Sequence, residues 1–107
     1  MEGGMAYGVV LDVRAPVEMY DAVHAEVLRR AGRSVDGLLF HVGRATADGF
    51  QVIEVWESQE DFERYNREII GPVVAELSGG QAPPEDGQTV QAFDVRGLVI
   101  PRGDVVL

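Results

Sequence analysis

Residues 49–56 (Gly-Phe-Gln-Val-Ile-Glu-Val-Trp) end at the only tryptophan and run straight into a helix start signal. Their β-branched and aromatic side chains predict a half-buried strand. Ser58 supplies an N-cap oxygen, and Asp61 three residues on completes a capping-box-like S-x-x-D. Glu57 and Glu60 favour the positive end of the new helix. A strand that feeds directly into a helix suits a small α+β domain, with the indole at the carboxyl end of the strand, where such sheets often border a cleft.

The remaining elements follow from periodicity. Residues 6–13 read as a first strand, and Pro16 is placed to be the first helical residue because its missing amide is one that a helix start leaves unpaired anyway. Val17, Tyr20, Val23, His24, Val27, Leu28 and Ala31 recur at three and four, which predicts an amphipathic helix to about Arg30, stopped by Gly32. Residues 37–45 are a second strand, and Asp48-Gly49 signals a hairpin into the third. The helix from Ser58 turns Phe62, Tyr65, Ile69 and Ile70 inward, and Gly71-Pro72 should interrupt it. Val73, Val74 and Leu77 suggest a short continuation ending at Gly79-Gly80. Residues 81–87 read as a polar loop and 89–95 as a fourth strand.

The order is β-α-β-β-α-β, a ferredoxin-like α+β unit with helices on one face of an antiparallel sheet. Residues 1–5 are a flexible lead, 6–96 the domain, and 97–107 an extension that is either an edge strand or exchanged between subunits. Two helices cover one face only. Yet Val9 and Leu11 alternate with Val10, and Val52 and Trp56 with Ile53 and Val55, so both faces are apolar. A second cover is needed, and a second copy of the chain is the simplest one, giving a homodimer packed sheet to sheet.

Composition narrows the partners. The net charge is −9 and all nine basic residues are arginine, a balance that repels phosphate backbones and anionic lipid. The absence of lysine removes Schiff-base chemistry, and the absence of cysteine removes thiolate catalysis and disulfides. No apolar run reaches the roughly 20 residues that span a bilayer. A soluble, cytoplasmic protein with small-molecule or protein partners is expected, with no nucleic acid and no membrane. No phosphate-binding glycine motif or paired-histidine spacing appears, so no cofactor and no metal are expected.

The stretches Gly37-Leu-Leu-Phe-His41-Val-Gly-Arg, Asp48-Gly49, Val55-Trp-Glu-Ser58 and Ile70-Gly-Pro72 resemble the dimeric α/β-barrel superfamily, within it the antibiotic-biosynthesis-monooxygenase-like proteins of actinobacterial type. The resemblance covers residues 6–96 and implies a dimer with a ligand cleft between sheet and helices in each subunit. It implies a cofactor-independent enzyme on an aromatic or polyketide-like substrate, oxygenating, cyclising or rearranging it. Oxygenating and haem-degrading relatives pair the strand-end tryptophan with an asparagine, and haem degraders add a helical histidine. Here Val52 stands four before Trp56 and Asn66 ten after it, which speaks against haem breakdown.

Both histidines stand where a general base is useful, so His41 and His24 are the catalytic candidates. His24 lies on the apolar stripe of the first helix, and His41 on the second strand. With an even-length hairpin loop, His41 shares a face with Glu54 and Trp56; with a three-residue loop it takes the other face. In the first case His24, His41, Glu54, Trp56 and Tyr20 converge on one cleft able to take a proton from an acidic carbon or phenol. Trp56, Tyr20, Glu54 and Tyr65 are then the substrate-binding candidates. Each has a plainer alternative: Trp56 as a core plug, Tyr65 as packing, Glu54 facing solvent or paired with Arg44 across the dimer. On those terms the chain is a non-catalytic ligand-binding or interaction module with the same barrel.

Overall fold

The computed structural model describes residues 6–32, 35–80 and 87–103. The expected lead at 1–5, most of the polar loop and the last four residues lie outside the described residues. Strands β1 (Tyr7–Val13), β2 (Leu38–Ala45), β3 (Phe50–Trp56) and β4 (Gln88–Asp94) form one antiparallel sheet in the order β2-β3-β1-β4. Helix α1 (Val17–Ala31) and a helical stretch made of α2 (Gln59–Tyr65), a π turn (Asn66–Ile70) and α3 (Gly71–Leu77) lie on one face. This is the ferredoxin-like α+β arrangement. None of the described helices is long and apolar enough to cross a membrane.

The helix-facing layer of the sheet carries the core. Val9, Trp56 and Val73 are fully buried, joined by Val27 and Tyr65, with Leu11, Val23, Leu38, Phe62 and Ile70 packed around them. Burial of such side chains is the main stabilising contribution, of the order of 1.5–3 kcal/mol each. Ser58 caps α2 as expected: its Oγ accepts from the Asp61 amide at 3.1 Å and donates to Asp61 Oδ2 at 2.9 Å. Pro16 occupies the N-cap of α1 rather than its first turn, one residue earlier than expected.

Three expectations change. Gly71-Pro72 does not break the helix. Ile70 and Gly71 keep helical dihedrals, and the Gly71 amide reaches back five residues to the Asn66 carbonyl. That wide turn takes the backbone off the four-back pattern where Pro72 has no amide to give. The hairpin is a longer connection over 46–49, closed by the Thr46 amide on the Gly49 carbonyl at 2.9 Å. Gly49 has no left-handed φ; a Cβ there would stand 2.1 Å from the Val13 carbonyl oxygen, so glycine is needed for close approach to the end of β1. Finally, residues 95–100 are in no strand among the described residues, and Leu98, Val99 and Ile100 are exposed.

The second face of the sheet is split. Phe40, Val42 and Phe93 are exposed there beside Val10 and Ile53, and Phe93 folds over Gly8. At the other end, Arg44 Nε donates to Gln51 Oε1 at 2.8 Å and Gln51 Nε2 donates to Asp12 Oδ1 at 3.0 Å, a polar rung across three strands.

Candidate functional site

The even-length hairpin loop fixes the site. It pairs His41 with Glu54, and β1 pairs Val9 with the same Glu54, so the three share one row facing the helices. A bulge between Leu38 and Phe40 adds one residue to β2 and shifts its alternation, which lets Leu38 and His41 face the helices together. Tyr20 on α1 reaches this row because β2 has glycine at position 43. A Cβ on Gly43 would lie 2.2 Å from Tyr20 Cζ.

A hydrogen-bonded chain results. Trp56 Nε1 donates to Glu54 Oε1 at 3.1 Å, and Glu54 Oε2 lies 2.7 Å from His41 Nδ1. On the far side of the imidazole, Nε2 lies 2.8 Å from the Tyr20 hydroxyl. A carboxylate only accepts, so it assigns the proton to Nδ1 and leaves Nε2 to accept from the phenol. The rings of Tyr20, His24 and His41 are nearly parallel: Tyr20 and His24 centroids are 5.4 Å apart and those of His24 and His41 5.7 Å. Burial, then the nearby Glu54 and Asp21, push the Tyr20 phenol above its ordinary value. Burial raises Tyr65 further, with Glu54 and Tyr20 adding to it.

Glu54 is the one buried charged side chain among the described residues, at 4 % exposure. It neither faces solvent nor meets Arg44, which lies on the opposite face bonded to Gln51. No buried side-chain polar atom among the described residues lacks a partner. The carboxylate is therefore matched on both oxygens, the condition under which a buried charge is tolerated.

The chain opens on a cavity of about 1130 Å³ between sheet and helices. Tyr20, His24, His41, Glu54 and Tyr65 all line it, so five of the six candidates share one chamber. Trp56 does not: it is fully buried, behind Glu54, with its ring 5.0 Å from that of Tyr65. It is both the core plug of the plainer reading and the partner of Glu54. The sequence left unmarked the bulge, the seat at Gly43, and the part of the wall made by Ile100 and Arg102. A glycine two residues after a strand histidine was the available signal for the seat; the bulge has none. Among the described residues no group of three metal-ligating side chains comes together.

No protein-family model matches the chain, and no curated protein matches it in sequence. Solved structures do match in fold. A candidate antibiotic biosynthesis monooxygenase from Chloroflexus aurantiacus is 22% identical, with a TM-score of 0.58 over 89% of this chain and 98% of that one. A dimeric ferredoxin-like protein of unknown function from Thermobifida fusca has a TM-score of 0.57 at 15% identity, covering 86% and 92% of the two chains. A heme-degrading protein from Mycobacterium tuberculosis gives 0.52 at 18% identity, covering 90% and 97%. At these identities the likeness is one of architecture, and what the chain has in common with all three is the ferredoxin-like α+β fold.

Proposed function

We propose that this protein is a small-molecule enzyme of the antibiotic-biosynthesis-monooxygenase-like, actinobacterial type, acting without cofactor on an aromatic or polyketide-like substrate by proton abstraction. His41 is the base of the site, with His24 beside it, and Glu54, Tyr20, Tyr65 and Trp56 shape and bind. The single observation that carries this reading is the Glu54, His41 and Tyr20 chain in the wall of an apolar cavity. A carboxylate behind an imidazole orients the ring and compensates the imidazolium that forms when it takes a proton. The carbanion is oxygenated if it meets dioxygen, or cyclises or rearranges if it does not.

The working unit is a cytoplasmic homodimer. Phe40 and Val42 are exposed on the sheet face that the helices leave uncovered, and a second copy packed on that face would bury them. The extension from Gly97 is the segment available for exchange between the two copies.

The test is exchange of the acidic methylene protons of anthrone in D2O, followed by NMR, with an oxygen electrode in parallel. Wild type should accelerate exchange and His41→Ala should abolish the acceleration. The alternative, a ligand-binding module without catalysis, is favoured by one observation: the polar groups of the chain already satisfy one another. Saturable binding of anthrone with no acceleration of exchange would select it.

A further inference from the structure

We infer that Tyr20, not His41, is the group that exchanges a proton with the substrate, His41 being the relay behind it; this rests on the enzyme reading above. Both nitrogens of His41 are engaged, Nδ1 at 2.7 Å from Glu54 Oε2 and Nε2 at 2.8 Å from the Tyr20 hydroxyl. The imidazole has no lone pair left for a ligand while that chain is intact. The Tyr20 oxygen, which donates its only proton to His41, keeps accepting capacity. Tyr20 also lines the cavity, and its ring is seated on Gly43, where any side chain would displace it. The fold thus spends a strand position on bringing this phenol to this imidazole.

The step balances as a pure proton transfer. The substrate C–H bond breaks and its electron pair stays behind as an enolate. The proton joins the Tyr20 oxygen while the proton already on Tyr20 passes to His41 Nε2, and the imidazolium rests against Glu54. The chain gains one proton and the substrate loses one, with no oxidant or reductant. Reversal at a different carbon isomerises the substrate. Burial and the neighbouring Glu54 and Asp21 oppose a free tyrosinate, so the two transfers are concerted. The titratable groups around Tyr20 are Asp21 and His24 from its own helix, His41 and Glu54 from the sheet, and Tyr65 from α2, with the Phe50 ring of β3 packed 5.5 Å away.

Tyr20→Phe keeps the ring on Gly43 and removes the oxygen. With anthrone in D2O, this variant should lose about 100-fold or more of the exchange rate, the scale of one acid-base group, while its anthrone dissociation constant stays within about twofold of wild type. A Tyr20→Phe rate equal to wild type, alongside an inactive His41→Ala, would overturn the inference and make His41 the direct base. A wild type silent towards anthrone sinks the enzyme reading itself, and this inference with it. A second measurement is independent of turnover: ¹⁵N NMR of His41 should show Nε2 unprotonated and accepting a bond in wild type, with that resonance moving on Tyr20→Phe. An unmoved resonance refutes the relay.

Discussion

Trp56 donates its indole N–H to Glu54 Oε1 from two residues further along the same strand, at 3.1 Å. Side chains at that spacing leave a sheet on the same face. The bond therefore comes directly from strand geometry, and it holds one carboxylate oxygen so that the other meets His41. The indole is at once the largest fully buried side chain and the anchor of the polar chain.

Glu54→Gln tests that anchoring. An amide offers one acceptor where the carboxylate offered two, so either Trp56 or His41 loses its match, or the imidazole changes tautomer. Stability should fall by about 1–3 kcal/mol in urea denaturation, and ¹⁵N NMR should show His41 with its proton moved towards Nε2 or divided between the nitrogens. A variant with the wild-type tautomer and stability would mean that the carboxylate does not orient the ring.

Gly43→Ala should push Tyr20 off its seat. The methyl would overlap the phenol ring, a clash that costs on the order of 1–3 kcal/mol, and the Tyr20 to His41 bond should vanish from the ¹⁵N spectrum. Gly97→Ala is the control, because a Cβ there meets nothing within 4 Å. Its melting midpoint should match wild type.

Alkaline stability follows from Tyr65. Its folded-state pKa is raised, chiefly by burial. The unfolded chain ionises this phenol near its ordinary value of about 10, while the folded chain keeps it neutral to higher pH. The contribution is therefore complete below that value and declines as pH rises above it. Denaturation midpoints measured from pH 9 upward should fall in wild type and fall less steeply in Tyr65→Phe.

The uncovered sheet face predicts self-association. Val42→Glu puts a charge beside Phe40 and Ile53 on that face. Sedimentation equilibrium should find wild type dimeric and the variant monomeric at micromolar concentration. A monomeric wild type would remove the second copy from the proposed working unit.

The element order, the Ser58 cap and the two-sided apolar sheet were legible in the sequence because each rests on local periodicity or on a short capping signal. Parity between His41 and Glu54 was not, since it depends on whether the hairpin loop is even or odd, and Asp48-Gly49 suits both. The true loop starts at Thr46, and Gly49 is glycine for its contact with Val13, not for its turn. Between Ile53 and Val55 a glutamate suits either a solvent-facing or a cleft-facing position, and only the register of the partner strands decides for the cleft beside His41. Trp56 is expected at the cavity wall, but it is fully buried against the rings of Phe62 and Tyr65 and does not line the cavity.

The π turn has a geometric consequence. Tyr65 and Val73 are both buried. In an uninterrupted α-helix, positions eight apart point about 80° away from each other. The wider turn uses one more residue per revolution and brings Val73 back into phase with Tyr65. Excising one exposed position such as Glu68 would thus leave both side chains aimed at the sheet, whereas inserting one would rotate Val73 towards water and unseat the end of the helix.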